Sequence, residues 1–143
     1  MTGIVVSALD HVHLYTADPQ AAAAWYARVL GLMIHPSSTR RDPEQSIYMA
    51  TARGQYCATI FRGAPPGDGD HTTAFRVPGT VFIDFGNGLP DPDIADRQGG
   101  QLQRASAEDH GLAWSYYFRD TDGNHLEITT YDHDRVRRWY LAL

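Results

Sequence analysis

The chain has 143 residues, 43% apolar and 20% charged, a balance typical of one folded domain rather than of a disordered segment. A formal net charge of -5, with no Lys- or Arg-rich cluster interleaved with aromatics, argues against nucleic acid as a partner. Cys57 is the only cysteine, which excludes an intrachain disulfide, and no apolar run approaches the ~20 residues that span a bilayer. We therefore expect a cytoplasmic protein that lacks a signal peptide and does not bind membranes.

The first sixty residues predict a strand, a helix and three further strands. Residues 7–16 alternate so that His11 and His13 share the face opposite the apolar side chains. In the helix that follows, Asp18 is a suitable N-cap and Gly31 a suitable left-handed stop. The helix buries a stripe made of Ala22, Trp25, Tyr26 and Val29. Further strands are expected at residues 32–38, 45–52 and 55–61.

The same order recurs more loosely after a Gly- and Pro-rich connector at residues 62–70. The elements expected there are a strand at 71–77, a short helix at 79–89, a loop at 90–100, a weak strand near 101–105, and strands at 112–118 and 125–131. In the tail, Val136, Trp139, Tyr140 and Leu143 have helical spacing, so we expect it to dock on the sheet as a helix. The prediction is an α+β fold: a single domain, residues 1–143, of two βαβββ modules at about 7–62 and 71–131, plus a C-terminal helix at 132–143.

Glu127 lies in the middle of the last predicted strand, an unusual position for a carboxylate. Alternation places it with His125 and Thr129, opposite Leu126 and Ile128. If this face and the His11 face line one cleft, imidazoles and a carboxylate converge. Two histidines and one carboxylate with open positions suit divalent iron, manganese, zinc or nickel. The alternative is that both polar faces simply contact water.

Two residues are candidates for proton transfer, one just before the predicted strand at 112–118 and one within it. His110 directly precedes it, and a histidine at the mouth of a cleft can move protons near neutral pH. Tyr117 lies in the strand, and a tyrosine can donate to a metal-bound oxygen. A merely exposed loop histidine is the competing interpretation.

The stretches LDHVHLYTADPQAAAAWYARVLGL and YYFRDTDGNHLEITTYD resemble the vicinal oxygen chelate superfamily. This group includes glyoxalase I, fosfomycin-resistance thiol transferases, bleomycin-binding resistance proteins and extradiol ring-cleaving dioxygenases. Its hallmark is the paired βαβββ module. The resemblance implies a mixed sheet curled into a partial barrel around a metal ion, with helices on its outer face. Many relatives of this length form dimers, so a homodimer is expected.

By this resemblance the metal ligands are His11, His71 and Glu127. Relatives commonly carry His-x-Ala-Phe at the start of the second module, whereas this chain has HTTAF, with His71 one residue early and Thr72 at the matching position. A slip of one residue turns a side chain to the other face, and a β-bulge would restore it. Alternatively residues 80–85 start the second module as a strand. Phe82 then occupies the ligand position, and His13 or His110 could serve, or no metal binds.

The implied function is a metal-dependent enzyme acting on a small substrate, aromatic or otherwise able to chelate the ion through vicinal oxygens. An extradiol-type ring-cleaving dioxygenase is favoured, with Fe2+ as the preferred ion, Mn2+, Zn2+ or Ni2+ as alternatives, and His110 and Tyr117 as catalytic residues. Two alternatives stay open. One is a non-catalytic protein that binds a drug or an aromatic ligand, and the other is a glyoxalase-type lyase or isomerase.

Overall fold

The computed structural model of the chain describes residues 4–64 and 71–143. Most of the predicted connector, residues 65–70, lies outside the described residues. Contacts divide the chain into two compact units, Met1–Pro66 and Gly67–Leu143. Each unit contains one βαβββ module with an open, four-stranded mixed sheet, so the predicted α+β class and its repeated unit are confirmed.

The first module follows the predicted order. Its elements are β1 (Val12–Thr16), α1 (Pro19–Leu30), β2 (Met33–Ile34), β3 (Ser46–Ala50) and β4 (Tyr56–Arg62). The sheet order is β1-β4-β3-β2, with β1 parallel to β4 and the other pairs antiparallel. The strand expected at 32–38 is much shorter, because Pro36 has no N–H to give to a sheet and begins a 3-10 helix at Pro36–Arg40.

Helix α1 is capped at both ends by the residues that the sequence predicts. The Asp18 side chain accepts hydrogen bonds from the backbone N–H groups of Gln20 and Ala21 at 3.1 and 3.2 Å. Gly31 ends the helix with φ of 65°, a left-handed conformation that costs glycine little. The inner face of the helix buries Ala22, Trp25 and Tyr26, whereas Val29 at its edge is half-buried. Local sequence signals therefore determine where this helix begins, ends and packs.

The second module repeats the connectivity of the first. Its elements are β5 (Thr72–Arg76), α2 (Gly79–Asn87), β6 (Glu108–Asp109), β7 (Trp114–Arg119), β8 (His125–Thr130) and the additional helix α3 (His133–Leu141). The sheet order is β5-β8-β7-β6, with β5 parallel to β8 and the other pairs antiparallel. The module therefore begins at the HTTAF segment.

Two sequence-based alternatives fail in this module. Residues 80–85 are not a strand, because they lie within α2, where Phe82 is fully buried. The weak strand expected near 101–105 is also wrong: Gln101 forms only an isolated bridge, and Arg104–Ser106 is a 3-10 turn. The Gln103 and Ser106 side chains hydrogen-bond each other's backbone there, a local arrangement that competes with sheet pairing. The edge strand forms later, as β6.

The C-terminal tail docks as the helix α3, as expected. Val136 is fully buried, the Trp139 indole donates to the Asn87 amide oxygen at 3.1 Å, and the Tyr140 ring lies 4.9 Å from that of Trp114. The helix thus contacts both α2 and the sheet. Leu143 does not join this face, because α3 ends at Leu141 and the last leucine is 53% exposed.

The three α-helices found in the described part of the chain are short, and α1, with 12 residues, is the longest of them. Across residues 4–64 and 71–143, none has the length and apolarity needed to cross a bilayer.

Candidate functional site

The predicted division of β1 into an apolar and a polar side is confirmed. Leu14 and Thr16 are buried on the side that faces α1. On the other side, His11 is half-buried and His13 is exposed. Both imidazoles therefore project from the same side of the first sheet and are accessible to a ligand.

His11 is held in one orientation by its neighbour in sequence. Its Nδ1 lies 2.7 Å from Oδ2 of Asp10. A carboxylate can only accept a hydrogen bond, so Nδ1 must carry the proton of this pair. In the neutral ring, Nε2 then has a free lone pair. This carboxylate–histidine arrangement is common behind metal-binding histidines, where it sets the tautomer and raises ligand basicity.

The side chain of the second histidine, His13, projects toward that of His11. Nε2 of His13 lies 3.1 Å from Nε2 of His11. The His11 ring stacks on Tyr56 with centroids 4.5 Å apart, and the His13 ring meets the Phe61 ring edge-on at 4.9 Å. Two converging imidazole nitrogens can share a proton or bind a cation.

Glu127 occupies the polar face of the second sheet, as predicted. It pairs with Tyr117 across β7 and with Ala74 across β5, and it is half-buried. The hydroxyl of buried Ser115 donates to its Oε1 at 2.6 Å. Its Oε2 has no hydrogen-bond partner among the residues that the structure describes. One oxygen of the carboxylate is therefore anchored and the other is available to a ligand.

The two predicted catalytic residues are adjacent. Nε2 of His110 lies 3.0 Å from the Tyr117 hydroxyl, so a proton can pass between them. The guanidinium of Arg97 lies 3.7 Å from the centroid of the Tyr117 ring. Burial, and next to it the negative charge of Glu127, raise the pKa of Tyr117 above its ordinary value. The phenol is therefore a hydrogen-bond or proton donor at neutral pH rather than a base.

Ionisation of this phenol can be measured directly. Subtracting the ultraviolet tyrosinate titration of Tyr117→Phe from that of the wild type isolates one group, and we expect its midpoint above that of free tyrosine. Adding Glu127→Gln to both proteins removes a charge that opposes ionisation, so the midpoint should fall. A difference curve at or below the midpoint of free tyrosine would contradict the assigned environment.

His71 does not share the face of Glu127. It is exposed and directly precedes β5, which pairs in register with β8 from Thr72 opposite His125 to Arg76 opposite Thr129. No bulge interrupts this register, so Thr72 lies on the same face of the sheet as His125 and Glu127. Because side chains alternate along a strand, position 71 belongs to the opposite face. The structure therefore places a threonine, not a histidine, on the polar face of β5.

In residues 4–64 and 71–143, no three His, Cys, Asp or Glu side chains are grouped as a metal site. Within the first module, His11 and His13 come together. Within the second, Glu127 shares a face with Tyr117, which contacts His110. Each module by itself thus brings polar side chains together on one strand face.

Three supporting residues were not anticipated. Asp10 could have been found, because it directly precedes His11, and Ser115 could have been found from its alternation with Tyr117 along β7. Arg97 gave no signal, because it lies in a loop whose path depends on distant contacts.

Comparison with known proteins identifies the family. Residues 8–128 match the Glyoxalase/Bleomycin resistance protein/Dioxygenase superfamily. No curated protein sequence matches.

Solved structures match over nearly the whole chain. Fosfomycin resistance protein FosX from Listeria monocytogenes, complexed with Mn(II) and sulfate ion, is 14% identical with a TM-score of 0.66, covering 95% of this chain and 99% of its own. A mutant of it, complexed with Mn(II) and 1S,2S-dihydroxypropylphosphonic acid, has the same identity and coverage with a TM-score of 0.67. Lactoylglutathione lyase from Agrobacterium tumefaciens is 21% identical with a TM-score of 0.59, covering 87% and 94%. The fold, the repeated module and the family match together establish that this chain belongs to the glyoxalase/bleomycin resistance protein/dioxygenase superfamily.

Proposed function

We propose that the chain is a divalent-metal-dependent enzyme that acts on a small substrate carrying two neighbouring oxygens. The observation that carries this proposal is the Asp10–His11 pair, which holds the imidazole in the tautomer that a metal ligand needs. The anchored carboxylate of Glu127 supports it independently from the second module. Structural neighbours were crystallised with Mn(II), one of them with a dihydroxypropylphosphonic acid.

The donor types present fit a divalent transition metal. The family motif match gives His11, His71 and Glu127 as ligands, but His71 lies off the polar face of β5, so His11 and Glu127 are the two donors that we retain. Imidazole and carboxylate donors suit Mn2+, Fe2+, Zn2+ or Ni2+. A bound ion of this kind orients two substrate oxygens and stabilises negative charge that develops on them. We propose Mn2+ or Fe2+ as the ion, with Fe2+ favoured if the reaction is ring cleavage.

The residues around Tyr117 supply the acid–base chemistry. Its phenol retains its proton at neutral pH and donates to an oxygen of the substrate, while His110 exchanges a proton at the phenol oxygen. The guanidinium of Arg97 adds positive charge beside them, which favours an anionic substrate. An extradiol-type ring-cleaving dioxygenase acting on a catecholic substrate is the more specific proposal, since such a reaction needs both proton transfer and stabilisation of an oxygen anion.

Two other functions of this family fit fewer features. A glyoxalase-type lyase or isomerase would use a carboxylate as its base, and the first module offers none in β4, whose sequence is YCATIFR. A non-catalytic protein that binds aromatic ligands would not need the Asp10–His11 pair or the His110–Tyr117 pair. These two functions are distinguished from the dioxygenase by metal content and by oxygen consumption.

The first test is the metal content of protein purified without chelator, measured by mass spectrometry. We expect about one Mn2+ or Fe2+ per chain in the wild type and a large loss in His11→Ala, because a ligand is removed. The matched control is His35→Ala, since His35 belongs to the same module and lies 6.1 Å from the Tyr56 ring without being on β1. Metal-free wild type, or equal loss in the control, would contradict the proposal.

The second test separates the reactions. Protein loaded with Fe2+ is mixed with catechols while dissolved oxygen is recorded. Oxygen uptake that is lost in Tyr117→Phe supports ring cleavage. Conversion of α-hydroxycarbonyl adducts without oxygen uptake supports a lyase or isomerase instead, and binding of aromatics by metal-free protein with no turnover supports the binding protein.

A further inference from the structure

We propose that His13, and not His71, is the imidazole that binds a divalent metal ion together with His11, at a site within the first module. The inference rests on the proposed function and names which residues of this chain serve it. It makes the HVH segment, in which His11 directly precedes β1 and His13 lies on it, a two-nitrogen ligand.

The distance between the two ring nitrogens carries the inference. Nε2 of His11 and Nε2 of His13 are 3.1 Å apart. With nitrogen–metal bonds of about 2.1 Å, two imidazoles at adjacent positions on one divalent ion have a separation close to this value. Without an ion, one proton between the two nitrogens satisfies the same pair, and a divalent ion replaces that proton. The two Nε2 atoms are therefore already close enough to bind one ion.

The surroundings hold both rings in place while leaving their nitrogens accessible. Asp10 accepts from Nδ1 of His11, and Tyr56 and Phe61 pack against the two rings. The His11 side chain is 31% exposed. Rings held by neighbours lose less conformational freedom when they bind an ion, which favours tight binding.

The first strand of the second module contributes no histidine to its own polar face. The position on β5 that shares the Glu127 face is Thr72, and no bulge brings His71 to that face. His13, two residues after His11 on the same strand face, is the imidazole placed to act with His11.

The test compares three single variants of the full chain with Co2+ as the probe, whose affinity is measured by calorimetry and whose imidazole ligands are counted by X-ray absorption. We expect wild type to bind one Co2+ with two imidazoles, and His13→Ala to bind at least about 30-fold more weakly with one imidazole. His71→Ala should match the wild type in both measurements. His13→Asn, which preserves polarity on the exposed strand face, and circular dichroism of each variant show that loss of binding is not loss of folding.

The outcomes separate this inference from the proposed function. If wild type binds Co2+ and His71→Ala weakens it as much as or more than His13→Ala, the assignment to His13 is overturned while the metal site stands. If both variants keep wild-type affinity and two imidazoles, the assignment is likewise overturned. If the wild type binds no divalent ion, the proposed function fails and this inference fails with it.

Discussion

Glu127→Gln is expected to weaken Mn2+ binding by at least about 100-fold, more than the 10- to 100-fold typical of losing an outer-shell partner. The change keeps the size of the side chain and the oxygen that accepts from Ser115, but it removes the negative charge and converts the second oxygen to an NH2 group that cannot ligate. Calorimetric titration with Mn2+ measures the affinity. The free energy of unfolding should change little, because the half-buried side chain retains its anchoring hydrogen bond.

Two further variants show whether the effect belongs to this carboxylate. Glu108→Gln removes a carboxylate that also acts on Tyr117 but lies exposed on β6, and its Mn2+ affinity should match the wild type. Ser115→Ala leaves the ligand in place without its donor, so a loss of about tenfold is expected. Equal weakening in the Glu127 and Glu108 variants would mean that general charge, rather than ligation, controls binding.

The first module was predictable because its signals are local. Asp18 and Gly31 act through hydrogen bonds and backbone conformation within a few residues of themselves, so α1 could be bounded from the sequence. The facing of His11 on β1 and of Glu127 on β8 follows from alternation alone. These predictions needed no information about distant parts of the chain.

What could not be predicted in the second module depends on contacts between distant segments. Residues 101–105 have strand-like composition, but a strand needs a partner, and here β7 pairs with Glu108–Asp109 instead. Arg97 reaches Tyr117 only because the loop returns to β7, where Ala95 bridges to Arg119. Such contacts depend on pairing between segments far apart in sequence, which a local pattern does not encode.

The candidate site residues depend partly on local sequence signals and partly on contacts that the sequence does not show. Its individual donors were visible as residue types on one strand face, whereas the contact between His11 and His13 and the anchoring by Asp10 and Ser115 depend on side-chain conformations. The offset of His71 was visible in HTTAF, but only the unbroken register between β5 and β8 shows that no bulge corrects it. The sequence thus indicated the residue types on each strand face, and the register shows that Thr72 rather than His71 shares the face of Glu127.

The fold of the second module makes a further quantitative prediction. Phe82, which would be a ligand-position residue if 80–85 were a strand, instead lies on α2 and is fully buried, its ring 4.8 Å from that of Tyr116. Tyr116 in turn donates to the carbonyl of Arg104 at 2.5 Å, so this stack joins α2, β7 and the 3-10 turn. We expect Phe82→Ala to reduce the free energy of unfolding by about 3–5 kcal/mol, because it removes a buried ring and leaves a cavity.

The matched control for Phe82→Ala is Val81→Ala, one position away on the same helix. Val81 is 47% exposed, so its truncation should change the free energy of unfolding by less than about 0.5 kcal/mol. Urea denaturation followed by circular dichroism measures both variants. A strand at 80–85 would instead put Phe82 on the polar face of the sheet, where truncation costs little, and Val81 on the buried face. An effect of Val81→Ala as large as or larger than that of Phe82→Ala would therefore argue against the helical packing of α2.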